Sequence, residues 1–194
     1  MKKLTRADLL SLEDYAVQRE AFRQKVIAHK KHRRVALGAN AALYFEDALT
    51  VQYQVQEMLR IEKIFEPAGI EEELAVYNPM IPDGSNWKAT FMLEYADVGE
   101  RKAALAQLVG IEHCVWMQVE GFERITPIAN EDLDRSHPEK TAAVHFLRFE
   151  LNNKMCQAIL QGHALSAGIE HPNYRVQSKL SAPVRHALAN DIRV

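Results

Sequence analysis

The stretch Val35-Ala36-Leu37-Gly38-Ala39-Asn40-Ala41-Ala42-Leu43-Tyr44-Phe45 decides the fold class of this chain. Two short apolar runs flank a Gly-Ala-Asn segment, which is the pattern of two strands joined by a tight turn. Strands joined by so short a turn must run antiparallel. We therefore predict an α+β fold with a mainly antiparallel sheet.

Further strand patterns extend this sheet in both directions. Residues 88–95 alternate between apolar and polar side chains, and residues 141–151 form the longest strand candidate. Residues 114–119 and 122–128 flank Glu120-Gly121 and predict a second hairpin.

Helical patterns occupy most of the remaining chain. A helix over 12–32 is predicted by its apolar stripe, and a second helix over 49–65 should end before Pro67 and Gly69. Shorter helical segments follow, at 71–76, after Asp97, after Asn152 and after Ser181. We predict that the long N-terminal helix and these shorter helices cover the sheet. Because no convincing linker separates two cores, residues 1–194 are predicted to form a single globular domain.

The composition is that of an ordinary globular domain. Of 194 residues, 47% are hydrophobic and 26% are charged, and 24 basic against 26 acidic side chains give a net charge of −2. Such a chain is neither disordered nor fibrous, and no apolar run approaches the ~20 residues that a membrane-spanning helix needs. The balanced charge and the absence of a recognition motif argue against a nucleic-acid partner, although residues 23–34 are basic.

The two cysteines, Cys114 and Cys156, belong to no Cys-x-x-Cys pair. We predict that they are not bonded to each other. Low cysteine content and an N-terminus without the pattern of an export signal favour a reducing, cytoplasmic location.

The predicted second helix carries a carboxylate among apolar side chains. At 100° per residue, Glu57 falls within a patch formed by Tyr53, Ile61 and Ile64. A buried carboxylate is costly unless it is paired or neutral, and Arg60, three residues later, is the local partner. We predict that Glu57 and Arg60 are partly buried and face each other, as a structural ion pair or, alternatively, as part of a ligand site.

The strand at 141–151 supplies a second candidate group. His145 is the polar exception on a face that includes Leu147 and Phe149, whereas Arg148 and Glu150 share the opposite face. A histidine in that position is a metal ligand, a general base or a core histidine bonded to a backbone carbonyl. Arg148 is expected to pair with Glu150 or to lie in solvent.

The loop from Tyr77 to Lys88 could form the lip of a pocket or a simple connection, and it contributes the candidate ligand-binding residues Asn78 and Lys88. We expect any ligand site to lie where the second helix meets the strand of His145, with this loop as its rim. Glu57 and His145 would then lie within about 8 Å of each other, close enough for a bridging water or ion.

The spacing of the histidines does not predict a metal site, and the cofactor stays unknown. His29 and His32 lie three residues apart, but the surrounding basic run disfavours a further cation. A charged helix C-terminus that complements the helix dipole explains them better.

Five segments of the chain carry a family resemblance. They are 1–10 (MKKLTRADLL), 34–38 (RVALG), 54–60 (QVQEMLR), 77–79 with 82 (YNP and P), and 140–151 (KTAAVHFLRFEL). Together they resemble the bacterial domain of unknown function 3501 family over nearly the whole chain. The resemblance implies a bacterial protein without an assigned activity, so it supplies no catalytic residue. It also implies gene neighbours of the rubrerythrin-like and iron–sulfur oxidoreductase types, and thus an accessory redox role.

Two functional interpretations remain. The favoured one is a cytoplasmic, non-catalytic binding or accessory protein, since no reaction motif is present. Its partner would be a protein of a redox system, no membrane contact is expected, and a homo-oligomer stays open. The alternative is a small metal-assisted enzyme that uses Glu57 and His145, with Arg60 or Lys88 holding an anion.

Overall fold

The computed structural model describes residues 2–131 and 139–193. Within these ranges the chain forms six α-helices and eight strands. The helices are α1 Leu12–Lys30, α2 Ala48–Glu62, α3 Pro67–Tyr77, α4 Val98–Gln107, α5 Asn153–Leu160 and α6 Ala182–Ala189. The strands are β1 Arg34–Ala36, β2 Ala41–Phe45, β3 Asn86–Leu93, β4 Val115–Val119, β5 Ile128–Ala129, β6 Val144–Glu150, β7 Leu165–His171 and β8 Tyr174–Lys179. Short 3₁₀ turns occupy Arg6–Asp8, Asn78–Met80 and Ile111–His113.

The strands form two sheets, one of five strands in the order β1-β2-β3-β6-β5 and one of three in the order β4-β7-β8. Every recorded strand pair is antiparallel, which confirms the predicted α+β class. The opening hairpin is β1-β2, with Val35 opposite Leu43. Gly38 in its turn has φ of 79°, a left-handed conformation that glycine adopts at little cost.

Two hydrophobic clusters hold these elements together. The larger one joins one face of each sheet, and Trp87 lies in it and donates from Nε1 to the carbonyl of Leu188 at 3.0 Å. The smaller one joins α2, α3 and the N-terminal segment around Val51, Val55 and Leu74. The five-stranded sheet therefore has a core face and, opposite to it, a face directed towards α2 and α3.

Several element boundaries differ from the sequence predictions. Pro67 begins α3 instead of only ending α2, because proline at the first helical position loses no hydrogen bond. The long helix α1 packs chiefly on α2, with only Tyr15 and Val26 buried.

The hairpin predicted at 114–128 is confirmed at one isolated antiparallel bridge, Met117 with Ile125, but its second half does not continue as a strand beside β4. β4 pairs with β7, while β5 joins β6 in the other sheet. β7 and β8 were not predicted. In β7, a Cβ on Gly168 would come within 2.4 Å of the Trp116 ring and 2.5 Å of the Val176 carbonyl, so glycine leaves room for the ring of Trp116.

Both cysteines are free thiols, as predicted. In the part of the chain described, no helix combines the length and apolar character needed to cross a membrane. The single-domain organisation stays a prediction.

Candidate functional site

Glu57 lies on α2 and faces α1, and its carboxylate accepts hydrogen bonds from three side chains. Arg19 donates from Nε and Nη2 to its two oxygens at 2.7 and 2.9 Å, and the Tyr15 hydroxyl donates at 2.6 Å. The predicted contact with Arg60 is present at 3.3 Å. The Glu57 side chain is 14% exposed, but that of Arg60 is 41% exposed, so the prediction of burial is right for Glu57 and wrong for Arg60. The main partner, Arg19, was missed because it comes from another helix.

Glu57 is held in its ionised form by these donors. The hydrogen bond from Arg19 is the largest cause that lowers the pKa of Glu57 to about 2. Burial, and then the bond to Glu57, raise the pKa of Tyr15, which stays a neutral donor. The cluster joins α1 to α2 and is the structural ion pair that the sequence favoured.

His145 lies in the core and is fully buried. Asn130 donates to its Nδ1 at 3.1 Å, and its Nε2 donates to the carbonyl of Ala142 at 3.0 Å, with the Thr141 hydroxyl at 2.9 Å. The ring packs beside Phe91. These contacts are those of a core histidine bonded to backbone and neighbouring polar groups.

The structure does not bring Glu57 and His145 together. Glu57 contacts residues of α1 and α2, whereas the described partners of His145 lie beside β6 on the core face. The alternation along β6 explains the separation, because Phe146 and Arg148 point towards the helices and His145 points away from them. The predicted convergence of these two groups is wrong, although the predicted rim loop does border a cleft.

That cleft, called the sheet cleft here, lies between β3, β6 and the end of α3, and encloses about 590 Å³. Its walls are mainly apolar and its charged residues are few. The apolar lining includes Tyr77, Pro79, Met80 and Phe146, and the charged lining consists of Glu46, Lys88, Glu131 and Arg148. Two of the predicted site residues, Lys88 and Arg148, therefore share one cavity.

Lys88 is half-buried at the floor of the sheet cleft. Its Nζ donates to the carbonyls of Pro79 and Ile81 at 2.6 and 3.0 Å. None of the described carboxylates forms an ion pair with it. Burial lowers the pKa of Lys88, which reflects the cost of keeping its charge partly out of water.

Arg148 is fully engaged at the edge of the cleft. Its Nε and Nη2 donate to the two oxygens of Glu131, each at 2.7 Å, and its Nη1 donates to Glu150. The bond from Arg148 lowers the pKa of Glu131. Asn78 lies outside the cleft lining and exchanges two hydrogen bonds with the backbone of Leu4, at 2.8 and 2.9 Å. It thus anchors the N-terminal segment.

Glu46 is a cleft residue that the sequence analysis missed. It lies directly across from Lys88, because Phe45 pairs with Ala89 and the Glu46 N–H donates to the Lys88 carbonyl at 2.8 Å. Its two carboxylate oxygens accept from Thr90 at 2.7 Å and from Thr50 at 2.5 Å. The signal that could have found it is the register of β2 against β3.

A second cavity, of about 600 Å³, lies beside the C-terminus and is lined by His29, His32 and His186. Next to it, Arg33 donates to Asp191 at 2.5 Å, and the two side chains are 3% and 4% exposed. This pair is called the C-terminal latch. Burial raises the pKa of Asp191 to about 6.

His29 donates from Nε2 to Asp47 at 2.5 Å. Within residues 2–131 and 139–193, no group of three or more His, Cys, Asp or Glu side chains is arranged to hold a metal ion. The two histidines that the sequence weighed as a metal edge, His29 and His32, instead line the cavity beside the latch.

The fold and the site define an α+β protein of two antiparallel sheets with a mainly apolar cleft lined by four charged residues. The chain belongs to the family of proteins of unknown function called DUF3501, whose model matches residues 3–192. A protein of unknown function from Burkholderia pseudomallei K96243 has a similar crystal structure, with 48% sequence identity and a TM-score of 0.94. The similarity covers 99% of this chain and 100% of that one. No match was found among the curated proteins.

Proposed function

We propose that this protein is a non-catalytic binding protein whose sheet cleft holds a small ligand with an apolar body and an anionic group. The observation that carries the proposal is Lys88, a half-buried ammonium in a mainly apolar cleft that forms no ion pair with any carboxylate of residues 2–131 and 139–193. Ammonium has three N–H donors, and the carbonyls of Pro79 and Ile81 account for two. A bound anion would accept the third as a charge-assisted hydrogen bond.

The size and lining of the cleft support this proposal. Its volume of about 590 Å³ falls within the ordinary range for small-molecule sites, which are mainly apolar with a few polar groups. Arg148 is already paired with Glu131 and Glu150, so we assign it to the shape of the cleft edge. Glu57, Arg60 and His145 have structural contacts elsewhere.

A catalytic role for the two cysteines has no support in their surroundings. Burial raises the pKa of both Cys114 and Cys156, which disfavours the reactive thiolate, and neither lines the sheet cleft. The metal-assisted alternative relied on Glu57 and His145 acting together, and these contact different elements. We therefore propose binding without chemistry.

One part of the proposal rests on the family resemblance. It is an accessory role in the bacterial cytoplasm, with a redox or iron–sulfur protein as the partner. Co-purification from a native bacterium tests it. Recovery of such a protein with this chain is expected, and recovery of this chain alone would contradict the partnership. Size-exclusion chromatography with light scattering tests the homo-oligomer.

The binding site itself is tested by NMR titration with caproate, an apolar carboxylate. We expect shift changes at amides of β3, β6 and the turn Asn78–Met80. Lys88→Met should weaken binding by roughly tenfold or more, the value of a hydrogen bond to a charged group. The matched control is Lys154→Met, which removes an exposed ammonium on α5 and should change nothing. Equal binding by the Lys88 variant and the wild type would contradict the proposal.

A further inference from the structure

Glu46 and Lys88 are opposite charges placed directly across an antiparallel strand pair. Phe45 pairs with Ala89, and the next backbone bond runs from the Glu46 N–H to the Lys88 carbonyl at 2.8 Å. Both residues line the sheet cleft, so their side chains leave the same face of the sheet. Opposed residues of this kind have Cβ atoms about 4.5–5.5 Å apart and ordinarily form an ion pair when their charges are opposite.

The two side chains instead turn away from each other. Lys88 reaches the carbonyls of Pro79 and Ile81, whereas the carboxylate of Glu46 accepts from the hydroxyls of Thr50 and Thr90. Within the described ranges, neither charge takes part in an ion pair. Neutral groups thus hold a positive and a negative charge apart on one cleft wall.

This arrangement carries an electrostatic cost that a suitable ligand would relieve. Thr50 and Thr90 are buried, and Glu46 itself is half-buried, so its charge is only partly solvated. A simple anion would compensate Lys88 and leave Glu46 without a cation. A ligand that carries both charges would compensate each of them.

We propose that the ligand of the sheet cleft is a zwitterion, with an anionic group at Lys88, a cationic amine at Glu46 and an apolar body between the cleft walls. The inference rests on the proposed function and names the ligand class for the same site. ω-Amino carboxylic acids and short peptides have this chemistry.

Three matched probes test the inference by calorimetry or NMR on the full chain at neutral pH. They are ε-aminocaproate, caproate, which lacks the amine, and hexylamine, which lacks the carboxylate. We expect ε-aminocaproate to bind roughly tenfold or more tightly than either, because each charged contact adds about that factor.

Two variants test which protein residue binds the amine and which binds the carboxylate of ε-aminocaproate. Glu46→Gln should remove the advantage of ε-aminocaproate over caproate, and Lys88→Met should remove its advantage over hexylamine. Glutamine keeps a carbonyl oxygen that can accept from a threonine hydroxyl, so the fold should persist. The matched control is Glu71→Gln, an exposed carboxylate on α3, which should leave all three affinities unchanged.

Thr90→Val gives a second measurement that leaves both charges in place. It removes a hydroxyl that directs Glu46 away from Lys88, so the carboxylate can close on the ammonium and compete with the ligand. The affinity for ε-aminocaproate should fall severalfold, and unchanged affinity would contradict the inference.

Different experimental results would contradict the zwitterion inference and the proposed binding function. If caproate binds as tightly as ε-aminocaproate and Lys88→Met weakens both, the zwitterion is overturned and anion binding stands. If none of the three probes binds in the cleft, the proposed function is contradicted and the inference with it.

Discussion

Opposite charges are in contact in the C-terminal latch, whereas in the sheet cleft the opposed charges of Lys88 and Glu46 bond to other groups. In the latch, Arg33 and Asp191 contact at 2.5 Å, and Arg33 also donates to the carbonyls of Phe45 and Glu46, each at 2.9 Å. In the cleft, Lys88 and Glu46 are opposed across two strands, and none of their described hydrogen bonds joins one side chain to the other. One pair is closed and the other is held open.

Under the proposed function, charged residues stabilise the fold in the latch and bind a ligand in the cleft. The latch is almost inaccessible, so its charges must satisfy each other within the protein. In the cleft, Lys88 and Glu46 are held by neutral donors and acceptors that a ligand can supplement. The predictions below begin with the latch, where the largest effects are expected.

Arg33→Met should destabilise the protein by about 3–5 kcal/mol, because it leaves the buried Asp191 without its cation. The free energy of unfolding is measured by urea denaturation followed by circular dichroism. The matched control is the neighbouring Arg34→Met, whose pair with Glu94 is 41% and 35% exposed and should be worth about 1 kcal/mol or less. Equal losses in the two variants would show that the latch is not a special structural contact.

Glu57→Gln should destabilise by about 1–3 kcal/mol near neutral pH, since it weakens the bonds from Arg19 and Tyr15. The folded pKa of Glu57 is lowered from 4.5 to about 2, so its contribution is present above pH 4.5 and is lost as pH falls towards 2. The difference between wild type and variant should therefore shrink between these values. Unfolding curves at several pH values measure it.

The control for this pH dependence is Glu13→Gln, which alters an exposed carboxylate on the same pair of helices. Its effect should be small at every pH. A Glu57 variant whose deficit stays constant from pH 6 to pH 2 would contradict the lowered pKa.

Lys88→Met should change the free energy of unfolding by no more than about 1 kcal/mol. The variant loses two hydrogen bonds to carbonyls but no longer keeps a charge partly buried, and these effects oppose each other. The same urea titrations measure it. A loss as large as that of Arg33→Met would mean that the cleft lysine is structural, and the contrast between the two regions would disappear.

Local sequence patterns predicted which face of a strand a residue lies on and which residues of one helix contact each other. Alternation placed His145 on the core face of β6, and the spacing of Glu57 and Arg60 predicted a contact that the structure contains. The partners of these groups come from elsewhere, as Arg19 lies 38 positions before Glu57. Periodicity along one helix carries no information about which second helix packs on it.

The candidate site was predicted only in part for the same reason. Lys88 and the rim loop were identified, but Glu46 was missed because its role appears only when β2 is paired with β3 in the right register. β7 escaped prediction because Gly168 interrupts its apolar pattern. In β8, the alternation of half-buried and exposed side chains is a strand signal that was overlooked.

The most direct test of the central claim is a double-mutant cycle between Glu46 and Lys88. The free energy of unfolding is measured for wild type, Glu46→Gln, Lys88→Met and the double variant without ligand. Glu46 and Lys88 are cross-strand neighbours but share no hydrogen-bond partner among the described contacts, so the account predicts a coupling of about 0.5 kcal/mol or less, below that of a contacting pair. A coupling of about 1 kcal/mol or more would show that the charges form a closed ion pair in solution, and would contradict the account of the cleft.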